Sequence, residues 1–137
     1  MSADCIFCKI VSGENSCYKL LETPTVLAFL DIFPSAKGHS LVIPKKHYVT
    51  LPEIPEQELR DVIAVAQKVS KAAAKAVNAD GFNLLQSNNK AAGQVVMHAH
   101  FHVIPRFGGD GLPLGHKSTQ VETPELEKTH KEILKSL

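Results

Sequence analysis

The chain has 137 residues, which is enough for one domain with its own hydrophobic core. Apolar residues make up 44% of it and charged residues 21%, and fifteen basic residues against fourteen acidic ones leave a formal charge of +1. This balance excludes the basic field of a nucleic-acid-binding protein, and no apolar run approaches the roughly 18 residues of a membrane span. We therefore expect neither a nucleic acid nor a membrane as a partner.

The N-terminal segment carries two closely spaced cysteines, Cys5 and Cys8, and Cys17 stands apart. Residues 1–5 lack the basic and apolar stretches of a signal peptide, so we expect a cytosolic protein with access to the nucleus. An odd number of cysteines in such a chain argues against a disulfide framework. The CxxC pair is typical of a metal half-site or a redox pair, although two reduced core cysteines on a short helix fit it too. Cys17 is expected to be a small, half-buried packing residue.

Five segments have the pattern of β-strands, at 18–22, 26–31, 39–43, 82–86 and 95–104. Thr23 and Pro24 separate the first two closely enough for a hairpin. Pro44 and Pro105 are expected to end the third strand and the fifth. Short links between most strands favour antiparallel pairing.

Two helices are predicted, the longer over 56–77, after Pro55 and before the breaker Asp80-Gly81. Its apolar stripe consists of Leu59, Val62, Ile63, Ala66, Val69, Ala73 and Val77. A second helix over 124–135 has Thr123 as its N-cap, and its expected inner side is formed by Leu126, His130, Ile133 and Leu134. The predicted architecture is α+β, an antiparallel sheet of about five strands with the long helix packed on it and a C-terminal helix.

Three histidines alternate with apolar residues in the last predicted strand. Because alternate residues of a strand share a face, His98, His100 and His102 should form one row while Ala99, Phe101 and Val103 point into the core. Such a row is hard to explain by packing alone. An ordinary amphipathic strand with half-exposed polar positions is one alternative. A metal site built from all three imidazoles is the other.

A polar loop over 87–94, SNNKAAGQ, leads directly into this strand. Loops of this kind present backbone N–H groups and side-chain amides to phosphate oxygens. Alone the loop is weak evidence of a site, because Asn and Gly are common in any turn. Beside the histidine row it indicates the anion-binding side of an active site.

The segment AGQVVMHAHFHVIPR resembles the signature of the histidine-triad (HIT) superfamily, HxHxHxx with apolar x. CIFCKI and AFLDIFPSAKGHSLVIPKKH precede it in the family's order and spacing. The resemblance extends from Cys5 to about Arg106. It implies a HIT-like fold with a core at about 5–106, and the tail beyond Gly108 lacks a clear counterpart in the family. The sequence pattern predicts a flexible loop and the C-terminal helix over 107–137, within a single domain over 1–137.

The resemblance also implies the roles of individual residues. His100 would be the nucleophile that forms a covalent nucleotidyl-histidine, with His102 and His39 orienting it and holding phosphate oxygens. Asp31 would receive the ribose hydroxyls, and backbone N–H groups around 94–96 would stabilise charge on the phosphate. The full nucleotide-binding set is Phe29, Asp31, Ile32, His39, Ser87, Asn88, Gly93, Gln94, Val95, Val96, His100 and His102. A strand-end carboxylate that caps the following turn is the alternative for Asp31.

Two positions depart from the family pattern. Val95 stands where related phosphoramidases usually carry Ser or Thr, so only its backbone can contact phosphate. Ser87 stands where the family has Asn or Gln, and Asn88 could take over the amide's role. Both departures affect the expected rate and leaving-group preference, but they leave the reaction type unchanged.

The CxxC pair resembles the zinc half-site of bacterial-type family members, whose partners correspond here to His47 and His98. A closed site of Cys5, Cys8, His47 and His98 would hold a structural Zn²⁺ and leave His100 free for chemistry.

The expected function is therefore hydrolysis of purine nucleoside 5′-phosphoramidates by a homodimeric enzyme that binds AMP- or GMP-type nucleotides. Close alternatives are hydrolysis of aminoacyl-adenylates or of dinucleoside polyphosphates. His102 stands where the transferase branch of the superfamily has Gln, which favours hydrolysis. Two alternatives of another class are a nucleotide-binding regulatory or scaffold protein with incidental hydrolysis, and a zinc metalloenzyme that uses the triad as ligands.

Overall fold

The strands form one antiparallel sheet in the order β1-β2-β3-β5-β4. The computed structural model describes residues 2–113 and 118–137. Its strands are β1 Lys19–Glu22, β2 Val26–Leu30, β3 Ser40–Pro44, β4 Gly81–Gln86 and β5 Phe101–Arg106, and its α-helices are α1 Ile6–Val11, α2 Glu56–Ala76 and α3 Thr123–Ser136. The α+β class and the five-stranded antiparallel sheet are confirmed.

The first hairpin is closed by a side chain of its turn. Thr23 Oγ1 accepts a hydrogen bond from the backbone N–H of Val26 at 3.0 Å, which helps the chain reverse between β1 and β2. β3 then pairs along the whole of β2, from Val26 opposite Pro44 to Leu30 opposite Ser40. The hairpin expected at Thr23-Pro24 is present.

α2 covers one face of the sheet. Its buried side chains pack on inward-facing residues of β2, β3 and β5, in a cluster of Val26, Ala28, Val42, Val62, Val65, Ala66, Val69, Phe101 and Val103. Ile63, expected in the apolar stripe, is instead 43% exposed, because the buried stripe follows Val62, Val65 and Val69 around the helix. Beyond the helix, Asn78 has a φ of 54°, a left-handed conformation that a continuing helix cannot contain.

α1 covers part of the opposite face. Phe7 packs there with Leu27, Phe29, Leu41 and Ile43. Both faces of the sheet are therefore packed. The face covered by α1 is the one on which His100 and His102 lie.

β5 is displaced from its predicted position. The strand begins at Phe101, not at Val95, and ends at Arg106, beyond Pro105. Pairing with β3 stops at Val103, so Pro105 lies past the point where β5 has neighbours on both sides and is tolerated there. The alternation is nevertheless correct for Ala99, Phe101 and Val103, which are all buried.

The C-terminal part follows β5 through a closed turn. Asp110 forms a two-point ion pair with Arg106, at 2.8 and 2.9 Å, and accepts the backbone N–H groups of Phe107 and Leu112. These hydrogen bonds fix the conformation of residues 107–112, where the sequence predicted a flexible loop.

α3 was expected to bury one side, but Leu126, Ile133 and Leu134 are each more than half exposed and His130 is exposed as well. Within 2–113 and 118–137, no helix has both the length and the apolar character that a bilayer span requires.

Candidate active site and metal centre

A pocket of about 410 Å³ opens between α1, the end of β2 and the segment that leads into β5. Its lining consists of Ile6, Phe7, Ile10, Ser16, Cys17, Phe29, Leu30, Asp31, Ile32, Phe33, Leu41, Gly93, Val95, Val96, His100 and His102. Most of these side chains are apolar, while Asp31, His100 and His102 supply the polar chemistry. An apolar cavity with a few convergent polar groups is the usual form of a small-molecule site.

The lining includes eight of the twelve predicted nucleotide-binding residues, Phe29, Asp31, Ile32, Gly93, Val95, Val96, His100 and His102. The other four, His39, Ser87, Asn88 and Gln94, lie outside it. Asn88 Oδ1 accepts from the backbone N–H of Leu51 at 2.8 Å and the Asn88 amide pairs with Gln86, so this side chain supports the loop instead of facing the pocket.

Gln94 organises the loop from within. Its side chain is 3% exposed; Oε1 accepts from the backbone N–H of Asn89 at 2.7 Å, and Nε2 donates to the carbonyl of Val49 at 2.6 Å and to that of Val96 at 3.1 Å. Gly93 adopts a φ of 86°, which favours glycine. The resulting turn places Gly93, Val95 and Val96 at the pocket wall.

The tautomer of His100 follows from its hydrogen bond. His100 Nδ1 lies 2.6 Å from the carbonyl oxygen of His98, and a carbonyl only accepts, so Nδ1 carries the proton. In the neutral ring, Nε2 then keeps a free lone pair. Burial lowers the pKa of His100, which keeps that lone pair available at neutral pH.

His39 and His102 form a second pair with a defined proton. The backbone N–H of Ser35 donates to His39 Nδ1 at 2.9 Å, so His39 carries its proton on Nε2 and donates it to His102 Nδ1 at 2.9 Å. His102 therefore presents a protonated Nε2. Burial, with smaller effects of His100 and His39, lowers the pKa of His102 to about 4, and burial also lowers the pKa of His39 against the opposing effect of Asp31.

Asp31 has a structural contact as well as a place in the pocket. Its Oδ1 accepts from the backbone N–H of Phe33 at 2.8 Å, which is the turn-capping arrangement. Its Oδ2 lies 3.6 Å from His39 Nε2. The carboxylate thus caps the turn with one oxygen and retains acceptor capacity for a ligand.

A second cluster lies behind the pocket and consists of Cys5, Cys8, His47 and His98. Each residue offers one potential ligand atom, and these four atoms all lie within 4.8 Å of one another. His98 Nε2 donates to the carbonyl of Pro44 at 2.8 Å, so its lone pair is on Nδ1, the atom that lies 3.5 Å from Cys5 Sγ and 3.7 Å from Cys8 Sγ. His47 Nδ1 lies 3.3 Å from both His98 Nδ1 and Cys8 Sγ. Burial lowers the pKa of His98 to about 4, which keeps the ring neutral.

These separations fit a tetrahedral ion. Zinc bonds of about 2.3 Å to sulfur and about 2.0–2.1 Å to nitrogen place tetrahedral ligands about 3.3 Å apart for N···N and about 3.5 Å for N···S. The four ligand pairs with the distances given above, 3.3 to 3.7 Å apart, agree, and the other two pairs lie within 4.8 Å. The four side chains therefore fit Zn²⁺ with little movement.

The row of three histidines does not form a metal site. His98 turns towards the cysteines, whereas His100 and His102 face the pocket, with ring centroids 4.8 Å apart. Asp31, His39 and His102 also lie within ligand distance of one another, but the Ser35 contact leaves the proton on His39 Nε2, the atom that would have to bind. The three imidazoles therefore do not converge on one point, as the metalloenzyme alternative requires.

Sequence reasoning missed the contribution of α1 to the pocket. Ile6, Phe7 and Ile10 line one wall together with Leu41 of β3, and Cys17 lines it too rather than only filling space. Phe7 lies edge-on to His100, with ring centroids 5.3 Å apart. The apolar residues around the CxxC pair carried the signal, but six residues are too few for a periodicity argument.

Comparisons with known proteins agree with this geometry. A family model described as the HIT domain matches residues 12–109. A protein of Saccharomyces cerevisiae named adenosine 5′-monophosphoramidase is 44% identical over 138 residues, covering 100% of this chain and 85% of its own length.

Two solved structures extend the comparison to the fold. A Streptococcus mutans protein matches with a TM-score of 0.94 at 38% identity, covering 99% of this chain and 87% of its own. A zinc-bound histidine triad family protein of Mycobacterium smegmatis matches with a TM-score of 0.76 at 38% identity, covering 97% and 96%.

Proposed function

Because the chain belongs to the HIT domain family and is one of its nucleotide hydrolases, we propose that it cleaves purine nucleoside 5′-phosphoramidates with His100 as the nucleophile. The observation that carries the proposal is the bond from His100 Nδ1 to the His98 carbonyl. It leaves an unprotonated Nε2 on a ring that lines the pocket. Such a nitrogen needs no separate base before it attacks phosphorus.

The reaction takes two steps. The lone pair of His100 Nε2 forms a bond to the α-phosphorus while the P–N bond to the leaving amine breaks. The departing nitrogen takes up a proton from solvent and leaves as the amine, while the neutral ring of His102 donates a hydrogen bond from Nε2 to a phosphate oxygen. Water then cleaves the nucleotidyl-histidine, which gives the nucleoside 5′-monophosphate and a free imidazole.

Other residues of the pocket wall bind the base, the ribose and the phosphate. Phe29 and Ile32 offer apolar surface to the base, and Asp31 accepts the ribose hydroxyls with the oxygen that Phe33 leaves free. The backbone at Gly93, Val95 and Val96 lies on the wall near His100 and provides N–H groups for the phosphate oxygens. His39 acts through His102 by fixing its tautomer.

The metal centre is structural in this proposal. Cys5, Cys8, His47 and His98 would hold Zn²⁺, which would tie α1 to the sheet and supply folding free energy. The M. smegmatis protein, whose structure is zinc-bound, supports this assignment. His100 and His102 are not ligands and remain free to react.

A homodimer is proposed from the free edge of the sheet. β4 is an edge strand, yet its side chains Phe82, Leu84 and Leu85 are each close to half exposed. Phe82 and Leu84 line a broad apolar groove together with Leu59 and Ile63 of α2. An exposed apolar edge is an unusual surface for a monomer. A second copy of the chain covers it.

Turnover of a fluorogenic adenosine phosphoramidate tests the function. We expect the wild type to hydrolyse it, His100→Ala to lose at least about a thousandfold in kcat, and His130→Ala, which alters an exposed histidine of α3, to match the wild type. Dinucleoside polyphosphates in the same assay test the alternative substrate class. A protein that binds AMP and turns over none of these substrates would instead be a nucleotide-binding regulator.

A further inference from the structure

Phe7 connects the metal centre with the pocket. It lies in α1 between Cys5, the N-cap of that helix, and Cys8. Its ring is 7% exposed and lies edge-on to the rings of Phe29, His98 and His100, at centroid distances of 5.6, 5.9 and 5.3 Å. One side chain therefore touches a candidate metal ligand, the proposed nucleophile and the pocket wall.

The position of α1 depends on few contacts. A helix of six residues is too short to be stable by itself, and its buried side chains are those of Phe7 and Cys8. Phe7 packs on the sheet together with the half-buried Ile10 and Val11. The contacts of Cys5 and Cys8 with His47 and His98 tie the N-terminal end of the helix to the candidate metal centre.

The two binding events thus favour the same position of the same helix. An ion at the four ligands fixes α1 against His47 and His98, and this places Phe7 in the pocket wall. A nucleotide that packs against Phe7 holds α1 in place and, with it, the two thiols. Ligands that favour one conformation of a shared element increase each other's affinity by the same factor.

We propose that Zn²⁺ and nucleotide bind cooperatively to this chain and that Phe7 is the positioning residue that couples them. This rests on the proposed function, because it takes the pocket as the nucleotide site. We expect a coupling of about tenfold in each direction, within the usual range for linked sites.

The test measures AMP binding by calorimetry on the zinc-loaded protein and on protein stripped with a chelator, with circular dichroism to verify folding. We expect the Kd for AMP to be about tenfold lower with zinc. Saturating AMP should lower the Kd for Zn²⁺ by the same factor, measured by competition with a chromogenic chelator.

Two variants locate the coupling. Phe7→Ala should bring both ratios close to one while retaining one equivalent of zinc. Ile32→Ala is the matched control, since Ile32 lines the same pocket, is 67% exposed and lies outside α1. It should weaken AMP binding in both metal states and leave the ratio unchanged.

Equal AMP affinity with and without zinc would overturn the coupling and leave the proposed function intact. Failure of AMP to bind either form would refute the nucleotide site and the coupling together. If the stripped protein unfolds, the coupling is tested instead by the rate at which the loaded protein transfers its zinc to a chelator. AMP, saturating for each variant, should slow this transfer in the wild type and in Ile32→Ala, and an equal slowing in Phe7→Ala would overturn the role of Phe7.

Discussion

Replacing His102 by Gln should reduce the loss of stability that the protein suffers in acid. Burial, more than the neighbouring imidazoles, lowers the pKa of His102 from 6.5 to about 4 in the folded protein. In the unfolded chain the ring keeps its ordinary pKa of about 6.5. Below that pH the unfolded state takes up a proton that the folded state does not. The contribution of His102 to the free energy of unfolding is therefore complete above pH 6.5 and is lost as the pH falls towards 4.

The magnitude follows from the two pKa values. Each tenfold change in proton affinity is worth about 1.4 kcal/mol, so the full effect is about 3 kcal/mol. The ring is partly exposed, and solvent screening reduces the expected loss to about 2 kcal/mol. Gln does not titrate, so the variant does not suffer this pH-dependent loss of stability.

Urea unfolding at several pH values between about 7 and 4 measures the difference. The wild type should lose about 2 kcal/mol more than His102→Gln over this range. Metal release and carboxylate titration affect both proteins and cancel in the comparison. His130→Gln, at an exposed position of α3, should follow the wild type. An equal loss in wild type and His102→Gln would refute the reasoning that burial holds His102 neutral.

Three further predictions concern the ribose contact, the metal and the free edge. Asp31→Ala should weaken binding of AMP about tenfold, or about 1.4 kcal/mol, and hardly affect a 2′,3′-dideoxy analogue in the same titration; equal losses would make Asp31 a turn cap alone. The double variant Cys5→Ser, Cys8→Ser should lose its one equivalent of zinc and show a lower Tm, yet retain measurable turnover at low temperature, since His100 is not a ligand. A wild type that is metal-free after zinc-replete preparation would refute the site. Leu84→Lys, at a side chain that is 45% exposed, should leave the Tm within a few degrees but shift light-scattering mass from dimer to monomer, and a wild type that is already monomeric would contradict the proposed dimer.

The secondary structure was largely predictable because its signals are local. The α2 stripe follows from the helical period of 3.6 residues. β2 and β3 are short apolar runs bounded by turn residues, and they are buried along almost their whole length. The start of β5 was not predictable in this way. Residues 97–100 keep the alternating pattern, but Ala99 donates its N–H to the carbonyl of Tyr48, a loop residue outside the sheet.

The site was predictable in its residue types and less so in its geometry. The alternation predicted one row of three histidines, and it was the family resemblance that assigned His98 to a zinc site. In the structure His98 lies in the candidate metal centre, while His100 and His102 face the pocket. Only the tertiary contacts with Pro44 and Ser35 fix the proton on His98 and on His39. The wall supplied by α1 depends on contacts more than twenty residues away in sequence, which a short apolar run does not reveal.

The α3 helix shows the limit of reading burial from an amphipathic pattern. Its apolar residues recur at helical spacing, and the helix forms over Thr123–Ser136. Periodicity predicts which residues share a face, but not what that face packs against. Here Leu126, Ile133 and Leu134 remain exposed.

Mass spectrometry of the acid-sensitive phosphorus–nitrogen adduct tests the identity of the nucleophile most directly. The protein is mixed with an adenosine phosphoramidate, quenched at alkaline pH within the first turnover, digested and searched for peptides that carry an added adenylyl group. We predict a single adenylylated position, His100, in the wild type, and no adduct in His100→Ala with AMP affinity within about tenfold of the wild type. An adduct on His102 or His98, or hydrolysis at the wild-type rate by His100→Ala, would contradict the assignment of His100 as the nucleophile.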